Sequence, residues 1–423
     1  MFFSLQRHFD GIINDKCSYF KEKNSDMTLA SAIQNRAQNY HSDTIALRRH
    51  LHQYPELSYH EFGTKTFISK TLTHYGIPHI NIANTGILAL IASTKNPEKS
   101  TTALRSDHDA LPIIEANNLP YKSQNVGVMH ACGHDAHTAM NLTAARILWE
   151  LRDKFEGTIK ILFQPAEEFV KPDGTSGADM MINDGALISP KPHSIIAQHV
   201  NPNLDCGKIA LKSGSIMASV DTIKICVNGQ GGHGAEPHLC IDPVVVACQI
   251  VLALQQIVSR QANPMDPTVL SIGRISGGAA FNVIPQDVEL LGTLRAYNEK
   301  WRYEAHEHIR RIAQNVAIAF GATADCVIER GIPFLPNDEM VTERVKKAAI
   351  AYLGAANVLP IEAAMTGEDF AVYAQQMPAC FYWLGVRNEK EGITSGLHAD
   401  TMQIDEQALA IGSGLMAFLA VSE

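Results

Sequence analysis

The sequence predicts an α/β protein with two domains, one inserted into the other. Its 423 residues exceed one ordinary domain and can bury a large core. Over most of the chain, short apolar runs alternate with helical patterns, which indicates a sheet covered by helices on both sides. A different pattern, rich in alternating strands, occupies the middle of the chain. We therefore expect the first domain to be discontinuous.

The first domain is assigned to residues 27–216 and 333–423, and residues 1–26 are interpreted as a flexible extension. Hydrophobic periodicity predicts its elements. Helices are expected over 27–39, 42–51, 62–75 and 137–152, and strands over 87–92, 102–105, 158–164 and 195–199.

The inserted domain is assigned to residues 217–332. Its predicted elements are a strand over 220–227, a helix over 242–260, strands over 268–275 and 288–297, a helix over 300–320 and a strand over 323–330. This β-α-β-β-α-β order is that of the ferredoxin-like split unit, an α+β fold. His306 and His308 are expected on a solvated face of the second helix.

Composition argues against several classes of partner. The net charge is −9 and no basic run is present, so we expect no nucleic-acid partner. Apolar runs at 244–254 and 408–421 are shorter than the roughly 20 residues that span a bilayer, so we expect no membrane insertion. The N-terminus lacks the pattern of a signal peptide, and the eight cysteines are scattered, which together favour a cytoplasmic location.

The segment Met129–His137 carries a thiol, three imidazoles and a carboxylate. Cys132 and His134 are two positions apart, so in an extended segment their side chains would point the same way. Thiolate and imidazole together favour zinc or a neighbouring first-row metal. The alternative is a buried cysteine with hydrogen-bonded histidines at the start of a helix.

Glu167 and Glu168 follow an apolar strand. Adjacent side chains of an extended segment face opposite sides, so one glutamate is expected to bind metal and the other to handle a water proton. The alternative is solvated charge at a loop edge. His199, His398 and the segment 107–109 also follow apolar runs, and the carboxyl ends of strands are where ligand sites of α/β sheets gather.

Six motifs occur in an order that resembles one family. They are LHQYPELS at 51–58, LRSDHDALP at 104–112, HACGHDAH at 130–137, FQPAEE at 163–168, GGHGAEPH at 231–238 and GEDF at 367–370. From Thr44 to the C-terminus the chain resembles the metal-dependent amidohydrolases of the aminoacylase/carboxypeptidase superfamily. The similarity is to the branch of hippurate hydrolases, N-acyl-L-amino acid amidohydrolases and auxin–amino acid conjugate hydrolases. It implies a mixed-sheet metallopeptidase-like catalytic domain with an inserted lid.

The resemblance also implies roles for individual residues. It makes Glu167 the general base and Asp109 the support of a metal-binding or catalytic neighbour. His233 would reach the scissile carbonyl as the lid closes, from the same or a partner subunit, so a homodimer through the lid is implied. Asn282 and Arg295 would contact substrate, Arg295 at its carboxylate. The implied ligands of two divalent ions (Zn, Mn, Co or Ni) are Cys132, His134, Glu168, His199 and His398.

The chain departs from the family pattern in two places. Ser106 and His108 stand where the family usually has Ala and Met, and Asp400 stands where it usually has proline. The first departure adds an imidazole close to the metals. The second bears on the backbone around His398.

The expected activity is hydrolysis of the amide bond of N-acyl amino acids, with a short peptide as the other class of substrate. Deacetylation of N-acetyl-diaminopimelate and a dipeptidase or carboxypeptidase activity share all these motifs. A metal-binding homologue without catalysis is disfavoured because it would not need the base Glu167. A structural zinc site is disfavoured because its ligands would be close in sequence.

Overall fold

The computed structural model describes residues 28–422, so the predicted extension at 1–26 lies outside the described residues. The helices are α1 (Leu29–Asn39), α2 (His41–Gln53), α3 (Phe62–His74), α4 (His134–Glu150), α5 (Gly177–Asn183), α6 (Pro243–Gln256), α7 (Glu299–Ala319), α8 (Glu339–Leu353), α9 (Phe370–Ala374) and α10 (Gln407–Val421). The strands are β1 (His79–Ile82), β2 (Gly86–Ala92), β3 (Thr101–Asp107), β4 (Thr158–Gln164), β5 (Ser194–Asp205), β6 (Ile209–Ala210), β7 (Gly214–Met217), β8 (Asp221–Asn228), β9 (Gly232–His233), β10 (Thr268–Ser276), β11 (Val283–Ile284), β12 (Asp287–Ala296), β13 (Thr323–Arg330), β14 (Leu335–Asn337), β15 (Val358–Leu359) and β16 (Ala379–Arg387).

An eight-stranded mixed sheet organises the first domain, in the order β1-β2-β4-β3-β5-β16-β6-β15. Its middle strands β4, β3, β5 and β16 are parallel, so their carboxyl ends share one edge. Alternate residues of these strands enter two separate cores, with Leu104 and Ile196 on one face and Ala103 and Ile195 on the other. Burial on both faces explains why the strands are continuous apolar runs in the sequence.

The inserted domain has its own sheet, in the order β10-β12-β8-β13, with every neighbouring pair antiparallel. Helices α6 and α7 pack on it, and Ile223, Ile250 and Leu290 belong to a core of their own. This is the ferredoxin-like arrangement, so the predicted fold class is confirmed. The chain enters and leaves at two adjacent segments, where the Val220 N–H donates to Ile332 O at 3.0 Å. The domain limits 217 and 332 lie beside these segments and stay a prediction.

Helix α6 covers nearly the range predicted for it, 242–260, but the membrane-length apolar segment is longer than the run at 244–254. α6 continues through a π-helical turn, and residues 243–261 are long and apolar enough to cross a membrane by length and composition. One side of this helix packs into the lid core through Val246, Ile250 and Leu254. Val245 and Leu252, on the other side, are exposed.

The interpretation of His306 as a solvated residue is wrong. His306 is buried, and its Nε2 lies 2.7 Å from Asp221 Oδ2. The same carboxylate accepts a hydrogen bond of 2.8 Å from Arg302 Nε, and its other oxygen accepts the Gly331 N–H at 3.1 Å. This cluster therefore fastens α7 to the segment by which the chain leaves the inserted domain.

Asp221→Ala should destabilise the inserted domain by about 3–5 kcal/mol, because it removes the buried carboxylate shared by Arg302, His306 and the Gly331 N–H. Denaturant unfolding followed by circular dichroism measures the change. Glu289→Ala is the matched control, since it removes a carboxylate from the solvent-exposed pair with Lys224 in the same sheet and should barely move the midpoint. Equal midpoints for the two variants would contradict the prediction.

Candidate metal centre

The predicted metal ligands gather at the carboxyl edge of the parallel strands. β3 and β4 end beside each other, with Asp107 paired to Gln164. His199 of β5 lies opposite Trp383 of β16, and α4 begins next to them with His134. The predicted ligands therefore lie at the carboxyl edge of the sheet, where the apolar runs predict a ligand site.

Cys132 and His134 do not lie in an extended segment, so the geometric premise behind their pairing is wrong. Helix α4 begins at His134, three residues before the predicted start, and Gly133 precedes it with a φ of 89°. A Cβ at Gly133 would come within 2.3 Å of the Val200 side chain, so glycine is required both by φ and by space. A tight turn at a helix start brings the thiol and the imidazole together.

The two glutamates do not face opposite sides either. Strand β4 ends at Gln164, and the chain then bends at Ala166, whose φ is 50°. Glu167 Oε2 and Glu168 Oε1 lie 3.9 and 3.8 Å from the same atom, His134 Nε2. The bend removes the strand geometry on which the prediction relied.

Two sets of donor atoms share the Cys132 thiol. One set is Cys132, His134 and His199, and the other is Cys132, Glu168 and His398; within each set all donor atoms lie within 4.8 Å of one another. Cys132 Sγ is 3.4 Å from His199 Nε2, and His398 Nε2 is 3.5 Å from Glu168 Oε1. The structure thus brings together all five residues named as ligands from the sequence.

His134 and His199 each make a hydrogen bond through Nδ1, which leaves Nε2 of both rings for this cluster. His134 Nδ1 lies 3.1 Å from Asp109 Oδ1, and His199 Nδ1 lies 2.8 Å from Val200 O, so both Nδ1 atoms act as donors. His137 differs, because Asp107 accepts from its Nδ1 and its Nε2 accepts the Val200 N–H. His137 therefore has no free lone pair for a metal.

The residues present fit divalent cations. His134 Nε2 and Glu168 Oε1 are buried, and neither atom has a hydrogen-bond partner within residues 28–422. Burial raises the pKa of the Cys132 thiol well above its usual range, and Glu168 adds to the rise. Burial lowers the pKa of His134, but Asp107 and Asp109 outweigh it and raise that pKa to about 10. A bound metal cation would displace the protons from this thiol and this imidazole. High pKa values of both groups, next to several carboxylates, are therefore expected at a metal site without its cation.

A buried charged cluster next to Glu167 was not identified from the sequence. Arg105 donates to Asp107 at 2.6 Å, to Glu368 at 2.9 Å and to Asp369 at 2.7 Å. Glu167 lies within 4.8 Å of the Glu368 and Asp369 carboxylates. Burial, with Glu368 and Glu168, raises the pKa of Glu167 well above its usual range. The GEDF motif is the sequence feature that could have indicated this cluster. However, Arg105 and Glu368 are 263 positions apart, and the sequence does not show that they are in contact.

The predicted substrate contacts are divided between two places. Arg295 lines a cavity of about 910 Å³ together with Cys132, Glu167, Glu168 and His398. His233 and Asn282 are exposed and lie side by side, since the Gly234 N–H donates to Asn282 O at 2.8 Å, but neither lines this cavity. Their roles stay a prediction.

The structure shows the surroundings of both departures from the family pattern. His108 is buried, neither ring nitrogen has a hydrogen-bond partner in the described part of the chain, and burial lowers its pKa to about 4. It belongs to none of the donor clusters among residues 28–422. His398 has a φ of 63°, and its N–H donates to Ala131 O at 2.8 Å. This bond ties His398 to the Cys132 segment although Asp400 replaces the usual proline.

Comparisons with known proteins identify the family of the chain. The model of peptidase family M20/M25/M40 matches residues 103–422. An N-acetyl-L-cysteine deacetylase of Bacillus subtilis is 40% identical over 366 residues, which is 86% of this chain and 84% of the relative. Thermostable carboxypeptidase 1 of Saccharolobus solfataricus is 37% identical over 93% of this chain and 99% of its own. The Bacillus subtilis YXEP protein, a dinuclear metal-binding peptidase of the M20 family, superposes with a TM-score of 0.78 at 34% identity and covers 91% of this chain and 98% of its own.

The relatives match most of the chain, and the family match at residues 103–422 includes the segments that carry the cluster. They confirm the family resemblance of the six motifs, and with it a metal-dependent hydrolase of amide or peptide bonds. The chain belongs to peptidase family M20/M25/M40.

Proposed function

We propose that this protein hydrolyses the amide bond of N-acyl amino acids with the help of two divalent metal ions. The observation that carries the proposal is the carboxylate of Glu167 beside two donor sets that share Cys132, at the wall of one cavity. One relative is a deacetylase of an N-acetyl amino acid. The proposed ligands are Cys132, His134, Glu168, His199 and His398.

In this proposal the metals supply an activated water and a positive charge for the amide carbonyl oxygen. Glu167 is the general base, which takes the proton of the attacking water and passes it to the leaving nitrogen. Asp109 accepts a hydrogen bond from His134 and another, at 3.0 Å, from the Glu168 N–H. It therefore orients the proposed ligand His134 and also holds the loop that carries Glu167.

We assign the remaining contacts to the lid. Arg295 would bind the substrate carboxylate from the cavity wall, because burial in that wall favours a charged partner for its guanidinium. His233 and Asn282 lie outside the cavity lining, which suits residues that act after lid closure or in the site of a partner subunit.

A homodimer through the lid is part of the proposal. The cytoplasm is the proposed location, and the seven cysteines within residues 28–422 are free thiols.

Arg295→Ala should raise KM for an N-acyl amino acid by roughly 10- to 100-fold with a smaller change in kcat, because a hydrogen bond to a charged group contributes about 1.5–3 kcal/mol. Steady-state kinetics on N-acetyl and N-benzoyl substrates measures the effect. Arg274→Ala is the matched control, since Arg274 is an exposed arginine of the same sheet outside the cavity lining. An unchanged KM would remove Arg295 from the substrate contacts.

The experiment that tests the proposed function measures free amino acid released from N-acetyl, N-benzoyl and longer N-acyl amino acids. The protein is stripped with a chelator and reloaded with zinc, manganese, cobalt or nickel. Metal-dependent cleavage supports the proposal and ranks acyl group and metal together. Dipeptides and N-acetyl-diaminopimelate belong in the same panel, because one relative is a carboxypeptidase. Cleavage confined to these would replace the proposal, and no cleavage by metal-loaded protein would overturn it.

A further inference from the structure

The short segment Leu57–Glu61 contacts the loop that carries Glu167 and Glu168 at several points. The side chains of Tyr59 and Glu61 contact this loop directly, and that of Ser58 reaches it through Asp109. The roles proposed above do not use any of them. The segment is itself held beside the metal centre, because the Ala110 N–H donates to Glu56 O at 2.8 Å.

Glu61 makes the contact closest to the proposed base. Its side chain is fully buried; Oε1 accepts the Ala166 N–H at 2.9 Å and Oε2 accepts the Thr85 hydroxyl at 2.7 Å. Ala166 directly precedes Glu167 and has a φ of 50°, a conformation that alanine rarely adopts. The carboxylate of Glu61 therefore holds the peptide that sets the direction in which Glu167 leaves the strand.

Ser58 and Tyr59 hold the same loop further along. The Ser58 hydroxyl donates to Asp109 Oδ2 at 2.7 Å, and this oxygen also accepts the Glu168 N–H. The Tyr59 hydroxyl lies 2.9 Å from the carbonyl oxygens of both Phe169 and Thr175. Contacts at 166, 168 and 169 leave the loop little freedom on either side of the glutamate pair.

We infer that Glu61 is a positioning residue, which holds Ala166 in its left-handed conformation and thereby directs Glu167 and Glu168 into the metal centre. Without an acceptor, the buried Ala166 N–H would be unpaired and the peptide would be free to relax toward right-handed geometry. That rotation would carry both glutamates away from His134. The inference rests on the proposed function for the roles of Glu167 and Glu168.

The test compares Glu61→Ala and Glu61→Gln with Glu56→Ala. Glutamine keeps an oxygen for the Ala166 N–H and a donor for the Thr85 hydroxyl, so it should retain activity. Glu56 is the matched control, because it directly precedes the segment and accepts the N–H groups of Gly63 at 3.0 Å and Thr64 at 2.8 Å at the start of α3. Within residues 28–422 its side chain has no hydrogen bond to the loop. We expect Glu61→Ala to lower kcat about 100-fold with little change in KM, and Glu56→Ala to leave kcat unchanged.

Two further readouts separate positioning from general stability. Titration of metal-free protein with zinc should show about tenfold weaker binding for Glu61→Ala than for Glu56→Ala, because Glu168 lies in the same loop. In a Glu167→Gln background, adding Glu61→Ala should lower kcat little further, since the first change has already removed the group through which Glu61 acts.

Equal losses for Glu61→Ala and Glu56→Ala, or additive losses in the double variant, would overturn the inference. If Glu61→Ala fails to fold, Glu61→Asp serves in its place, because its shorter side chain keeps the charge but cannot span to Ala166. If the wild type cleaves no substrate, the proposed function fails, and the zinc affinities alone decide whether Glu61 positions the loop.

Discussion

Glu167→Gln is expected to leave the metal content of the folded protein unchanged and to lower turnover by at least about two orders of magnitude. The side chains of glutamate and glutamine have nearly the same shape, but the amide of glutamine does not accept a proton from water at neutral pH. Metal content is expected to persist because the two donor sets that share Cys132 do not include Glu167. Metal-to-protein ratio by elemental mass spectrometry and kcat on the same sample give both quantities.

Glu362→Gln is the control for this prediction. Glu362 also lines the cavity but belongs to none of the donor clusters within residues 28–422. Its replacement should leave both metal content and kcat near the wild-type values. Near-normal turnover of the Glu167 variant would remove Glu167 as the general base and direct attention to Glu368, the neighbouring buried carboxylate.

Cys132→Ser is expected to lose most of the bound metal, and activity with it. Cys132 is the donor common to both sets, so its loss weakens two positions at once. A serine hydroxyl is a poor ligand for zinc and its neighbours, whereas a thiolate is a preferred one. The measurement is the metal-to-protein ratio after dialysis against metal-free buffer.

Cys380→Ser tests whether any buried thiol would have the same effect. Cys380 is buried in strand β16 and belongs to none of the donor clusters in the described part of the chain. This variant should keep its metal even where the exchange of sulfur for oxygen lowers its stability. Equal metal retention in the two variants would exclude Cys132 from the ligands.

The sequence by itself determined the layered fold and the inserted domain, and its resemblance to the family supplied the five proposed ligands. Apolar runs reveal strands buried on both faces, and the change in pattern near Met217 reveals the ferredoxin-like unit, because each signal depends on residues close in the chain. The ordered motifs identify the family for the same reason, since each motif is a short local string.

Only the tertiary structure decided how the site is arranged. Gly133 and Ala166 both have positive φ, and this turns Cys132 toward His134 and both glutamates toward one nitrogen. The cluster of Arg105 with Glu368, like the bond from Ala166 to Glu61, joins residues about a hundred or more positions apart. Such contacts leave no periodic trace in a single sequence, because side-chain direction at a bend and long-range pairing are set by the packed chain.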